Sequence, residues 1–247
     1  MSEGAKGSKE CEEVLEELRR SADPGSVAGM ARFGISVDGT MGVSMPALKG
    51  MAKRLGKNHE LALKLWGSGV HEAKILAALI ADPKRTDRSM MEGWVRDFDS
   101  WDVCDQVCSY LFSKAEPAYE VIPDWTSREL EFVKRAGFVM MAALAVHDKK
   151  AEDEVFLGFF PLIERQAGDG RNYVKKAASW AIRQMGKRSL YLREECIALA
   201  ERISLQGTPS ARWIASDAIR ELSSAKVMAR LEGKGSRASE RQGGPGR

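Results

Sequence analysis

The chain has 247 residues, of which 44% are hydrophobic and 30% are charged, and its formal net charge at pH 7 is +3. This composition supplies enough apolar surface for a substantial core and excludes an intrinsically disordered protein. The small positive charge permits nucleic-acid binding but does not by itself indicate it. No run approaches the roughly 18 apolar residues of a membrane span, so we expect no membrane partner.

The two ends differ in composition from the rest of the chain. Residues 1–10 are rich in Gly, Ser and Lys, and the C-terminal stretch GKGSRASERQGGPGR is basic and offers no apolar anchor. We therefore predict disordered tails over residues 1–10 and 231–247 and one helical repeat domain over residues 11–230.

Between the ends, apolar residues recur with helical spacing, and the alternation typical of strands is missing. The first apolar stripe is formed by Val14, Leu15 and Leu18. In the second helix Ser44 is the expected N-cap, with Pro46 in the first turn. About ten to twelve helices are predicted in all, the later ones over residues 61–66, 73–80, 90–98, 103–112, 130–146, 155–165, 174–185, 190–203 and 210–222.

Four stretches look like versions of one helix, with a charged start, small Ala residues and then a larger apolar stripe. They read VHEAKILAALI, VKRAGFVMMAALA, VKKAASWAIRQMG and ARWIASDAIREL. Small residues allow close helix packing, and stacked helix pairs bury a continuous core and leave a concave face for a long ligand. The sequence therefore predicts an all-α, right-wound HEAT-like or ARM-type solenoid of antiparallel helix pairs. A compact helical bundle is the alternative.

The most unusual segment is the acid-rich run DFDSWDVCD at residues 97–105. Trp101 and Asp105 are four residues apart, so a helix beginning near Ser100 places an indole and a carboxylate on the same face. Later in the chain Arg135 and Trp180 each interrupt a mostly small or apolar helix. The competing interpretation is structural: two core tryptophans, a capping or solvated acid, and an arginine whose head reaches solvent.

Together these residues resemble a known family. The relevant motifs are the run GVSMPALK at residues 42–49, SWDVCD at residues 100–105, Arg135-Ala136, and KAASWAIR at residues 176–183. In this order they are similar to the DNA alkylation repair glycosylases of the AlkD-like, HEAT-like-repeat type, over about residues 25–225. The resemblance implies a HEAT-like fold with a concave DNA-binding cleft, and base excision repair of alkylated DNA.

The resemblance also implies roles for single residues. Trp101 and Trp180 pack against the deoxyribose of the damaged nucleotide, Asp105 is the catalytic carboxylate, and Arg135 holds a backbone phosphate. A purine alkylated at N3 or N7 is already cationic and departs as a neutral base, so one carboxylate can suffice to stabilise the positive charge left on the sugar. No nucleophilic lysine is evident, so the expected product is an abasic site.

Cations near Trp180 are the candidates for DNA backbone contacts, although each can equally be a solvated charge. They are Lys175, Lys176, Arg183 and Lys187. The expected partner is double-stranded DNA containing alkylated purines, bound by a monomer in a salt-sensitive way. Because the four cysteines are few for a disulfide framework and no apolar leader precedes the first helix, we expect a cytoplasmic protein, nucleoid-associated when bound to DNA.

No cofactor or metal is expected. Cys104 and Cys108 are spaced i, i+4 without further ligands nearby, His59, His71 and His147 are scattered singly, and no nucleotide-binding or nucleophile motif is present. Besides the glycosylase, two hypotheses stay open. One is a non-catalytic binder of damaged or branched DNA, and the other is a HEAT-type scaffold for protein partners.

Overall fold

The structure is a computed structural model that describes residues 3–242, with side chains for residues 8–233. All regular structure in this range is helical, which confirms the all-α prediction. The α-helices are α1 (Glu3–Arg20), α2 (Pro24–Arg32), α3 (Met45–Leu55), α4 (His59–Gly67), α5 (His71–Ile80), α6 (Arg88–Arg96), α7 (Trp101–Tyr110), α8 (Val121–Ser127), α9 (Glu131–His147), α10 (Asp153–Leu157), α11 (Phe160–Gln166), α12 (Asn172–Gly186), α13 (Leu190–Ser204), α14 (Pro209–Leu222) and α15 (Ala225–Gln242).

Short-range chemistry explains where several helices begin. Ser44 is the N-cap of α3, its hydroxyl accepts the N–H of Ala47, and Pro46 lies in the first turn, as the sequence predicts. The Thr208 hydroxyl accepts the N–H of Ala211 at the start of α14 in the same way. These caps satisfy backbone donors that have no partner inside the helix.

The ends of the described range are helical, which departs from the predicted tails. Helix α1 includes residues 3–10, and α15 includes residues 231–242. Cys11 and Val14 are buried on α1, and Val227 and Leu231 are buried on α15, so apolar contacts at the inner edge of each predicted tail hold the helix in place. The rest of the predicted tails, residues 1–2 and 243–247, lies outside the described residues.

Contacts between residues divide the chain into two compact units, Met1–Val121 and Ile122–Arg247, where the sequence suggests one domain. The core of the first unit contains an aromatic cluster. Trp66 and Trp94 stack with ring centroids 4.0 Å apart, and Phe98 lies edge-on to Trp66. Phe112 completes the cluster against Trp94 and Phe98.

In the second unit, α9 is buried without a break from Val133 to Ala145. Helices α12 and α14 lie side by side in a constant register, because residues 38 apart meet along both helices. Ser179 meets Asp217, and one turn later Arg183 meets Glu221. Parallel helices in constant register are typical of equivalent helices in successive repeats.

Two further facts concern the whole described range. No helix in residues 3–242 combines the length and the hydrophobicity needed to cross a bilayer. All four cysteines are buried as free thiols.

Candidate nucleic-acid interface

The acid-rich segment before α7 is held in place by side chains of α4 and α5. The Trp66 indole N–H donates to Asp97 Oδ2 at 2.9 Å, and Lys74 Nζ donates to the Asp97 carbonyl at 3.1 Å. Lys74 also lies 3.8 Å from Asp99 Oδ2. Two of the segment's carboxylates are therefore used to fix where α7 begins, a role that their spacing does not reveal.

A buried ion pair locks the first turn of α7. His71 Nε2 lies 2.8 Å from Asp102 Oδ2, and the Ser100 hydroxyl donates to the other carboxylate oxygen. His71 is 3% exposed and Asp102 is 9% exposed. This cluster was missed at the sequence level, where His71 is an isolated histidine, because the two residues are 31 positions apart.

The pKa values of the pair follow from this geometry. Burial disfavours both charges, but the hydrogen bond and the charge of Asp102 outweigh it and raise the pKa of His71 above its ordinary value of 6.5. Burial is likewise outweighed at Asp102, whose pKa is lowered from 3.8 by the hydrogen bond and charge of His71 and by the hydroxyl of Ser100. Both shifts favour the charged forms, so the pair is imidazolium and carboxylate between pH 3.8 and 6.5.

Trp101 and Asp105 occupy successive turns of α7, and both are half-buried. The i, i+4 spacing predicted from the sequence is thus realised on one helix face. The Trp101 indole N–H donates to the Phe33 carbonyl at 3.0 Å, so the loop after α2 holds the ring. The Trp101 indole and the Asp105 carboxylate therefore lie on one face of α7, whose first turn is fixed by the His71–Asp102 ion pair.

Beside Trp101 lies a cavity of about 670 Å³ within the first unit. Its walls are mainly apolar and come from α2, α3, α5 and α7, with Met30, Leu48 and Ile75 among them. His71, Asp102 and Glu72 are among its polar lining residues, whereas Asp105 does not line it. Both carboxylates of this cavity are already bound by the protein itself, Asp102 by His71 and Glu72 by backbone N–H groups, and Asp105 lies in different surroundings.

The turn that begins the run at residues 42–49 is held by the side chain of Glu72. The Glu72 carboxylate, 1% exposed, accepts the N–H groups of Met41, Gly42 and Val43 at 2.6 to 3.2 Å. Gly42 has φ 78°, and a Cβ there would lie 2.3 Å from the Asp23 carbonyl. The glycine of the motif is thus required by the turn that Glu72 holds in front of α3.

In the second unit Arg135 is only 6% exposed, and its Nη1 donates to the Tyr173 carbonyl at 2.7 Å. Tyr173 lies in the first turn of α12, the helix that carries the half-buried Trp180. The guanidinium, expected to hold a DNA phosphate, is directed at the protein's own backbone and fixes the start of the helix on which Trp180 lies.

The loop before α12 is fixed by a second ionic cluster. The buried Lys134 donates to Asp169 Oδ2 at 3.2 Å, and Arg171 Nη2 donates to the same oxygen at 2.5 Å. The Arg171 hydrogen bonds, together with those from Lys134, outweigh desolvation and lower the pKa of Asp169 from 3.8 to about 2. A carboxylate shared by two cations stays ionised over the whole physiological range.

The four cations proposed to contact DNA have different surroundings. Lys176 is exposed, and Lys175 Nζ lies 5.4 Å from the centroid of the half-exposed Trp213 ring, an aromatic residue that sequence analysis did not single out. Arg183 and Lys187 form ion pairs with carboxylates of α14, namely Asp217 and Glu221. The first two keep more of their charge available to a phosphate than the last two.

Comparisons with known proteins support both a fold and a family. A solved structure, described as a new family of proteins related to the HEAT-like repeat DNA glycosylases with affinity for branched DNA structures, has a TM-score of 0.69 at 21% identity and covers 77% of this chain and 82% of that chain. No curated protein matches. The family model described as DNA alkylation repair enzyme matches residues 14–222. The chain has the HEAT-like repeat fold and belongs to the DNA alkylation repair enzyme family.

Proposed function

We propose that the protein is a monofunctional DNA glycosylase that hydrolyses the N-glycosidic bond of N3- and N7-alkylated purines. The observation that carries the proposal is the pairing of Trp101 and Asp105 on one face of α7, behind a first turn locked by His71 and Asp102. Such a locked turn presents a carboxylate in a fixed position, which is what electrostatic stabilisation of a transition state requires.

The proposed reaction needs one carboxylate and one water. The bond between the sugar carbon C1′ and the base nitrogen breaks, and its electron pair leaves with the base, which becomes neutral. Water adds to C1′ and loses a proton, giving an abasic site and the free alkylated purine. Asp105 stabilises the positive charge that develops on the sugar, and the indole face of Trp101, on the same helix, attracts the same charge.

Coulomb's law sets an upper limit on the contribution of the Asp105 carboxylate to the reaction rate. Two unit charges about 4 Å apart at an effective dielectric near 20 interact by roughly 4 kcal/mol. If all of that appears in the transition state, the carboxylate contributes about three decades of rate.

Arg135 enters the proposal as a positioning residue. Its burial and its bond to the Tyr173 carbonyl support a role in orienting α12, and hence Trp180, in place of the phosphate contact that the resemblance implies. Backbone contacts are assigned chiefly to Lys175 and Lys176, while Arg183 and Lys187 share their charge with Asp217 and Glu221 and contribute less to binding.

The proposal is tested by base release from duplex DNA treated with a methylating agent, with N3-methyladenine and N7-methylguanine resolved. Asp105→Asn is expected to lower the rate by at least about a hundredfold, within the three decades estimated for this carboxylate. The matched control is Asp38→Asn, which removes the same charge from an exposed side chain of the first unit. Equal rates for the wild type and Asp105→Asn would refute the role of Asp105.

A second candidate function is non-catalytic binding of damaged or branched DNA. It is favoured by the affinity for branched DNA that is described for the structurally similar protein. This function predicts no base release by the wild type, tighter binding to a four-way junction than to a linear duplex, and unchanged or improved affinity in Asp105→Asn. Release of an alkylpurine by the wild type would reject it in favour of the glycosylase.

A further inference from the structure

A small pocket in the second unit concentrates positive charge away from Trp180. It has a volume of about 170 Å³ and lies among the residues that follow α9, the end of α12 and the middle of α15. Four of the side chains that line it are cations, and Asp153 is the single carboxylate among the described lining residues. The cations are Lys149, Lys187, Arg188 and Arg230.

Two of these cations are already held by the protein. Arg188 donates to the carbonyls of Ala145 and Asp148 at 3.0 and 2.7 Å, which places its guanidinium over the end of α9. Its Nε has no hydrogen-bond partner among the described residues, although Asp153 Oδ1 lies 3.7 Å away. Lys187 is paired with Glu221. Both heads are therefore fixed at the pocket wall, as a binding site requires.

The other two cations have no carboxylate partner within the described part of the chain. Lys149 and Arg230 approach the pocket from the loop after α9 and from α15, and both are exposed. Partial desolvation at the pocket, followed by the charges of Arg188 and Arg230, lowers the pKa of the Lys149 ammonium group. Like charges gathered around one small cavity repel one another, and an anion in the cavity relieves that repulsion.

We infer that this pocket binds a phosphate group through Lys149, Arg230, Lys187 and Arg188. Guanidinium groups match the geometry of a phosphate with paired hydrogen bonds, and the two lysines add point charges. A phosphate of the DNA backbone and a free phosphate share this chemistry. The inference goes beyond base excision and does not depend on it, since it requires an anion and no damaged base.

The test compares Lys149→Ala/Arg230→Ala with Lys150→Ala/Arg212→Ala in the full chain. Lys150 and Arg212 are exposed cations of the same unit that do not line the pocket, so both variants remove two charges. The first measurement is the melting temperature in inorganic phosphate and in chloride of equal ionic strength, because a ligand that binds the folded state raises it. The second is the dependence of undamaged-duplex affinity on salt.

We expect the phosphate-specific rise in melting temperature to disappear in the pocket variant only. If the ligand is a DNA phosphate, the slope of log affinity against log salt also becomes shallower, by about 0.9 for each DNA phosphate that the variant no longer neutralises. If the pocket variant loses the phosphate-specific rise in melting temperature but keeps the salt slope of duplex affinity, the pocket binds a free phosphate. If only the salt slope changes, the pocket binds a phosphate of the DNA backbone. Equal behaviour of the two variants in both measurements overturns the inference.

Discussion

Replacing Asp102 by Asn removes the carboxylate of the buried pair and keeps a side chain of the same shape beside His71. Taking away one partner of a buried pair costs about 3–5 kcal/mol when the other charge stays in place. The cost is smaller where the histidine can lose its proton. The destabilisation of Asp102→Asn should therefore depend on pH in a way that identifies the ion pair.

The direction of that dependence follows from the two pKa shifts. In the wild type, the raised pKa of His71 contributes stability that is complete below pH 6.5 and is lost as the pH rises through the folded-state pKa. The lowered pKa of Asp102 contributes stability that is present above pH 3.8 and is lost as the pH falls through its folded-state value. The pair therefore stabilises the wild type most between pH 3.8 and 6.5.

The stability of the Asp102→Asn variant should instead increase as the pH rises through 6.5. Without Asp102, burial is opposed only by the charges of Glu72 and Asp99, so we expect the folded-state His71 imidazole to be neutral, while the unfolded chain still binds a proton below pH 6.5. Folding at about one pH unit below this value then costs about 1.4 kcal/mol that is not required above it. The difference between wild type and variant should shrink by about this amount between pH 5.5 and 6.5, and shrink further at higher pH.

The assay is urea unfolding followed by circular dichroism at pH 5.5, 6.5, 7.5 and 8.5. Asp38→Asn is the control, because it removes the same charge from an exposed side chain outside the buried pair and should show no such pH dependence. Adding His71→Gln to Asp102→Asn should abolish the pH dependence by removing the titrating group. A difference in stability that is the same at every pH would refute the assignment of an imidazolium and a carboxylate.

Two further predictions concern the second unit. Asp169→Asn should lower the free energy of unfolding at pH 7 by about 2 kcal/mol, since the carboxyl pKa of about 2 lies below its ordinary 3.8. Urea unfolding measures this difference. The stabilities of wild type and variant should converge as the pH falls toward 2. Gly137→Ala should cost about 1–3 kcal/mol because the new Cβ would lie 2.7 Å from Thr126 Cγ2. A thermal melt compares it with Gly93→Ala, where the new Cβ would meet no atom within 4 Å beyond its own helix backbone, and the melting temperature should not fall.

Much of this protein could be predicted from patterns that act over a few residues. Helical periodicity is local, and it predicted an all-helical chain. The N-cap at Ser44 with Pro46 in the first turn was predicted because a cap involves residues three apart. The i, i+4 relation of Trp101 and Asp105 follows from helix geometry once α7 forms. The order of four short motifs identified the family, which the family match over residues 14–222 confirms.

The tertiary structure decided what each charged side chain does. Asp102 and His71 are 31 residues apart, and Arg135 and Tyr173 are 38 apart, so no local pattern relates them. A buried charge needs a partner, and the packing of α5 against α7 and of α9 against α12 determines which partner is in reach. The helices at the two ends of the described residues depend on tertiary packing as well: Val14 on α1 and Leu231 on α15 are buried, and the benefit of that burial exists only when the neighbouring helices are in place.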